Sequence, residues 1–265
     1  MTEYTATTVT RGLGFGEGPR WHEGRLWYSD FYRHGIFSIS PDGSDERLEH
    51  SVPTQPSGLG WGSDGSLYFV SMLDHTIRRV ANGAETTILD FSEHCGFWAN
   101  DMVISSTDIG YVGNFGFDLD TLLHEKGVEG LLADPPPTTN LVVFNLDGKI
   151  LQVVPDMAFP NGSVITPDGS TLIVGETMAF RLTAFDINPD GTLSNRRIWA
   201  QLDFVATDGM CLDDDGQIFA CMLGGNDGTT LYIHTAPSSD RFAIADTTDG
   251  CIEIASVNAP RAGRP

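Results

Sequence analysis

The sequence predicts an all-β fold, a β-propeller, on three observations. Short apolar runs recur in units of roughly forty to fifty residues, each able to hold about four strands. Turn signals such as Pro167-Asp168-Gly169 join neighbouring runs into hairpins. Almost nothing between the runs has the length and 3.6-residue period of an amphipathic helix, which removes βαβ architectures.

The clearest unit is FPNGSVITPDGSTLIVGET (159–177). Residues 162–166 and 171–175 read as paired strands; Pro167 fixes φ and Gly169 supplies the positive φ of the turn. Asn161 stands just ahead of the first strand. Unit one is EGPRWHEGRLWYSDFYRHGIFSISPDG (17–43), and unit two is GLGWGSDGSLYFVSMLDHTIRRVANG (58–83). Unit three opens at NDMVISSTDIGYVGNF (100–115) and resumes at NLVVFNLDG (140–148). Unit four runs from Asn161 to Gly191, and unit five opens with DGMCLDDDGQIFACM (208–222).

The openings at 17, 58, 100, 161 and 208 give steps of 41, 42, 61 and 47. The long step holds an insertion at about 116–139, in which 119–132 reads as a short helix. From Asp208 onward 58 residues remain, where two regular blades need about eighty to ninety. Residues 231–235 and 251–257 read as two further strands, and 4–11 is available to pair with them and close the ring. The count fits five full blades, or six with one shortened. The whole chain, 1–265, is expected to form one propeller domain.

In a propeller the innermost strand of each blade starts at one rim of the central channel. The loop between a blade's second and third strands returns to that rim. Glu17, Gly58, Asn100, Asn161 and Asp208 should therefore converge on one mouth. The same face should carry 31–35, 71–75, 114–139 and 178–181, with the insertion hanging over the mouth as a lid.

Fifteen Lys and Arg against 36 Asp and Glu give a net charge of −21. Such a field disfavours nucleic acid and anionic membrane and draws cations toward a mouth lined with carboxylates. No window holds eighteen apolar residues, so no membrane span is expected. MTEYTATTVTRG lacks the regions of a signal peptide, making the cytoplasm the expected compartment. Cys95, Cys211, Cys221 and Cys251 form no CxxC and are expected as free thiols, Cys211 and Cys221 facing across one hairpin.

Glu17, Asn100, Asn161 and Asp208 offer two carboxylates and two amide carbonyls. That is a hard-cation set, suited to one divalent ion, Ca²⁺ first and Mg²⁺ or Mn²⁺ tolerably; Zn²⁺ or Fe²⁺ can replace it in an oxygen-rich channel. Any one of these residues alone is explained as a turn cap or a loop carboxylate. Four at repeat-equivalent positions point to a metal site. No GxSxG elbow or phosphate-cradling glycine loop accompanies them. His34 and His75 fall in mouth loops, His22 in a turn and His234 in a strand, none with an assigned role. Glu176 and Arg181 fit an ion pair beside the mouth.

GEGPRWHEGRLWYSD, NDMVIS, PNGSVITPDGSTLIVGET and DGMCLDDDG resemble blocks of the family of regucalcin (senescence marker protein), gluconolactonases and luciferin-regenerating enzymes. The resemblance implies a six-bladed propeller, its fifth blade shortened here, with one divalent cation and lactone-hydrolase activity. It implies Glu17, Asn161 and Asp208 as ligands, Asn100 as ligand or substrate contact, and Asp208 as the base that activates water. Asp101 is a candidate to orient that water, or a structural turn carboxylate. Sugar-lactone members resemble this chain except for an Arg-Pro ahead of the Asn-Asp pair; here Trp98-Ala99 stands instead. An indole in place of a guanidinium favours a less polar lactone or ester beside Phe97, Trp98 and Phe115, although blade packing equally explains these aromatics. Trp98, Asn100 and Asn114 are the candidate substrate contacts. A phosphotriester- or fluorophosphate-hydrolysing propeller and a non-catalytic calcium-binding one are the competing readings.

Overall fold

The computed structural model describes residues 5–265. It contains six small sheets, five of four strands and one of three. Their inner strands, the ones that pack from blade to blade, are Gly16–His22, Pro56–Trp61, Ala99–Ile104, Pro160–Ile165, Met210–Asp213 and Met222–Gly224. Each packs against the next, and the sixth returns to the first, so the sheets form a ring of six blades. The first four blades run strand by strand outward through antiparallel hairpins. In blade four the turn forms as its residues require: Gly169 takes φ +72° and donates its N–H to the Thr166 carbonyl at 2.8 Å.

Blade five is the short one. Its inner strand is followed only by Ile218–Ala220, and one residue later the chain enters blade six. The third strand of this sheet, Arg261–Ala262, comes from the C-terminal end and pairs with Met210–Asp213 on the side away from Ile218–Ala220. Blade six is completed by the other end of the chain. Thr7–Leu13 pairs antiparallel with Gly250–Ser256, in register Thr7 to Ile254 and Leu13 to Gly250. The expected closing strand is thus observed, apart from Tyr4, which lies outside the described residues. The four cysteines are free; Cys211 lies in the inner strand and Cys221 just after the short return strand, so the hairpin places them near each other without a disulfide.

The core lies between blades, where apolar faces of adjacent sheets meet. Tyr28, Phe37, Leu223 and Tyr232 fill the joint between blades six and one, and Tyr111, Val143, Leu172 and Phe185 that between blades three and four. The insertion forms helix α1 (Leu119–Ala133), capped by Asp118 and broken at Gly127, whose φ is +64°. A one-turn helix α2 (Arg241–Ile244) lies in the loop between the two later strands of blade six. Among the described residues no helix is long and apolar enough to cross a membrane.

Candidate active site

The residues that open the inner strands do converge. In each of the first four blades the pairing of inner and second strand slips at the strand start: between Glu17 and Arg20, Pro56 and Leu59, Ala99 and Met102, and Pro160 and Ser163. Such bulges re-aim a side chain out of the regular alternation. Here they bring Glu17, Asn100 and Asn161 into a cavity of about 260 Å³ that Asp208 also lines. The close approach needs glycine behind it. A Cβ on Gly162 would meet the Asp208 carbonyl at 2.3 Å, and one on Gly58 would meet the Met102 nitrogen at 2.2 Å. Gly58 thus contributes proximity, and blade two reaches the cavity through Gln55 and Met72 instead.

The amides form a chain. Ser57 Oγ donates to Asn100 Oδ1 at 3.3 Å, Asn100 Nδ2 to Asn161 Oδ1 at 2.9 Å, and Asn161 Nδ2 to Thr177 Oγ1 at 3.2 Å. Thr177 Oγ1 donates in turn to the Thr207 carbonyl at 2.8 Å. Asp208 follows that carbonyl directly, outside any strand, so blade four tethers the residue that the reduced blade five does not frame.

The carboxylates show what the enclosure costs. Burial raises Glu17 well above the ordinary carboxylate range, and the charges of Asp208 and Asp101 add to it. Asp208 keeps a path to channel solvent but is walled by protein; burial and then the charge of Asp101 raise it, against the Gly209 N–H and the Asn161 amide. Two acidic groups held close with raised pKa are the environment that a bound cation relieves. Glu17 and Asp208 are the two carboxylates among the four expected ligands, and among the described residues no group of three or more His, Cys, Asp or Glu is arranged to hold a metal. Two carboxylates with two amide oxygens therefore fit a hard dication and do not fit a thiolate- or imidazole-loving one.

The remaining expected residues divide. Trp98 lines the cavity, stacked on Phe97 at 4.6 Å and edge-on to Phe115 at 6.5 Å. Asn114 does not line it. It is fully buried, its Oδ1 accepting from Gly96 N–H (3.2 Å) and Thr139 Oγ1 (2.6 Å) and its Nδ2 donating to the Asn140 carbonyl (2.9 Å). With its polar atoms so used, it ties together the two ends of the insertion. Asp101 points away as well: its Oδ1 takes the Arg20 guanidinium at 2.8 Å and the Met102 N–H at 2.8 Å. His34 and His75 occupy left-handed turn positions and are absent from the lining. Glu176 is the buried partner of Arg181 at 2.9 Å, as its spacing suggested.

Other lining residues carried weaker signals. Gln55 and Phe159 each precede a proline that starts an inner strand, and both take positive φ, 60° and 58°. The repeated X-Pro at equivalent offsets was readable. Tyr32 and Asp120 close the outer end; burial, followed by the Asp120 charge, pushes the Tyr32 hydroxyl to about 12. Arg241 of α2 stacks on Trp98 at 4.8 Å and holds Asp118 at 3.0 Å. A guanidinium therefore does stand beside Trp98, but it is spent on fastening the insertion to blade six. His234, in a second cavity of about 300 Å³ shared with Glu17 and Asp208, has no side-chain hydrogen-bond partner among the described residues and is pushed down to about 4 by burial.

Residues 15–237 match the family model described as SMP-30/Gluconolactonase/LRE-like region. The chain belongs to this family. Among solved structures this SMP-30/gluconolactonase-like chain is similar to a luciferin-regenerating enzyme, with a TM-score of 0.76 at 16% identity over 98% of each chain. It is similar also to a calcium-binding regucalcin from Agrobacterium tumefaciens, TM-score 0.69 at 16% identity over 97% of each chain. At these identities the likeness is one of fold. A stretch of 94 residues is 29% identical to diisopropyl-fluorophosphatase of Loligo vulgaris, covering 33% of this chain and 30% of that protein's length.

Proposed function

We propose that this family member is a divalent-cation-dependent hydrolase that opens a lactone less polar than a sugar lactone. The observation that carries this reading is a single cavity that joins Glu17, Asn100, Asn161 and Asp208 to walls of Phe15, Phe31, Trp98, Phe115 and Phe159. Glu17, Asn100, Asn161 and Asp208 would hold the ion, with Ca²⁺ preferred for their hard oxygens. When bound, such an ion supplies Lewis-acid polarisation of a carbonyl oxygen.

The chain's own residues supply the rest. Asp208, reachable by solvent and raised by its surroundings, takes a proton from the attacking water. The Ser57–Asn100–Asn161 chain fixes the orientation of the two amides, each Oδ1 accepting one hydrogen bond and keeping a second lone pair for the ion. The aromatic walls hold the apolar body of the substrate and keep bulk water away, with α1 as the lid through Leu119 and Asp120. Trp98→Ala is expected to lower kcat/KM for an alkyl-substituted lactone about tenfold, the equivalent of about 1.4 kcal/mol of lost contact, chiefly through KM. Initial rates across a series of alkyl chain lengths check it.

The test of the reading is acid release by pH-stat from a lactone panel, before and after EDTA and on return of Ca²⁺. Activity on alkyl lactones that EDTA removes and Ca²⁺ restores is the expected result. The stretch similar to diisopropyl-fluorophosphatase favours a second reading, hydrolysis of phosphotriesters or fluorophosphates, and paraoxon in the same assay decides between them. Cation binding without turnover of either class would leave a calcium-binding propeller.

Removing one ligand charge gives an independent check. For an acid whose pKa is raised by folding, stability is full below the ordinary carboxylate range and is lost as pH rises through the raised value. Glu17 and Asp208 therefore weaken the cation-free fold at neutral pH. Glu17→Gln is expected to raise Tm by a few degrees in EDTA, because it removes a buried charge. It should also abolish the rise in Tm with Ca²⁺, which in the wild type reflects a stabilisation of about 2.7 kcal/mol at a hundredfold excess over Kd. Scanning calorimetry at pH 7 reads both.

A further inference from the structure

The channel has a second mouth. Inner strands leave the upper cavity and end on the opposite face, where Trp21, His22, Trp61 and Ile104 line a cavity of about 510 Å³. One side of it is closed by the C-terminal segment. Arg261–Ala262 pairs with the inner strand of blade five, and Arg264 exchanges backbone hydrogen bonds with Ile165 of blade four at 2.6 and 3.0 Å. Between them Gly263 takes φ +65° and lies so close that a Cβ would meet the Ile165 carbonyl at 2.3 Å. This backbone path sets the side chains of Arg261 and Arg264 on the same cavity.

These two arginines differ from most cations of the chain. With 36 acidic residues against 15 basic ones, most cations find a carboxylate, from the buried Arg20 to the upper mouth's Arg241. Among the described residues no carboxylate, that of the last residue included, lies within 4.0 Å of the Arg261 or Arg264 guanidinium. Arg261 Nη1 reaches only the Trp21 carbonyl (3.2 Å), and Arg264 Nη1 only that of Ile104 (3.4 Å). His22, stacked on Trp61 at 3.8 Å, is driven toward its neutral form by burial. Glu23 and the carboxylate of Pro265 are the opposing charges in the lining; Glu23 is 82% exposed and sits 4.0 Å from His22, and neither forms an ion pair with Arg261 or Arg264. Two guanidinium forks with most of their donors free, facing one opening, match the geometry of an oxyanion.

We propose that the lower mouth is an anion-binding site, separate from the hydrolytic cavity, that takes the phosphate or carboxylate group of a small molecule between Arg261 and Arg264. The two unpaired guanidiniums are a local positive pair within an acidic molecule, so they favour anions that the rest of the surface repels.

Inorganic phosphate and malonate serve as probes, each titrated into the full chain by calorimetry and followed at the indole N–H signals of Trp21 and Trp61. Saturable binding of at least one is expected, weakened about tenfold or more in Arg264→Gln and unchanged in Asp208→Asn. A response to phosphate alone assigns a phosphate ester, and one to malonate alone a carboxylate. Arg264 pairs with blade four through its backbone, so this substitution spares the fold; Arg264→Lys, which keeps the charge but not the fork, should bind with intermediate strength. No saturable response to either anion overturns the proposal. So does binding that Arg264→Gln leaves intact, or binding that disappears in Asp208→Asn.

Discussion

Asp208→Asn is expected to lower kcat on an alkyl lactone by roughly 10²- to 10⁴-fold, the span that a positioned general base contributes. The change is nearly isosteric. It keeps an oxygen at the position and alters only the charge and the ability to accept a proton, so the surrounding Thr177–Thr207 tether is undisturbed. The pH profile carries a second signature. Burial and the Asp101 charge raise the Asp208 carboxyl; the basic form is therefore reached only above the ordinary aspartate range, and wild-type kcat/KM should climb with pH through that raised value. In Asp208→Asn the climb should disappear along with the rate. Pairing pH-stat rates with a Ca²⁺ titration separates lost base from lost ligand. A variant saturated with Ca²⁺ that still lacks activity assigns proton transfer to Asp208, whereas equal activity in the two proteins removes it from the mechanism.

What the sequence made legible was what repeats. Turn residues act locally, so Pro167-Asp168-Gly169 could be read directly, and the recurring unit openings, once the insertion at about 116–139 is set aside, placed Glu17, Asn100 and Asn161 at equivalent strand starts. The shortened fifth blade was legible by length alone. Pairings made by distant chain were harder. Nothing in the sequence of Arg261–Ala262 says that it enters the channel to pair with blade five, because a two-residue strand has no periodicity. Asn114 illustrates a different limit. Its place beside the mouth was correct, yet its side chain turned to the insertion's own backbone, a choice made by which unpaired donors lie nearest. The guanidinium missing ahead of Asn100 reappears in three dimensions as Arg241, some 140 residues on, where no motif could have announced it.

Arg20→Met is expected to cost about 3–5 kcal/mol of stability, because it leaves the Asp101 carboxylate buried without its cation. For a chain of this size that is a fall in Tm of roughly 6–20 °C. Asp101 and Arg20 are 7% and 5% exposed, so water cannot take over. The guanidinium does more than neutralise. It donates to the carbonyls of Pro19, Leu59 and Met102 at 3.0 Å or less, joining the inner strands of blades one, two and three directly below the cavity. Adding Asp101→Asn to Arg20→Met removes the stranded charge but not the stranded carbonyls. The double variant should therefore recover only part of the loss, with about 1–3 kcal/mol persisting for the unsatisfied acceptors. Asp101→Asn alone tests the competing role as a water-orienting group. As a positioning residue it should lower stability while leaving the pH profile of kcat/KM in place, apart from a small downward shift as its charge no longer raises Asp208. Urea unfolding curves of the three variants, read with those profiles, decide it. A destabilisation below about 1 kcal/mol in Arg20→Met would mean that the three-blade clasp does not hold the inner strands.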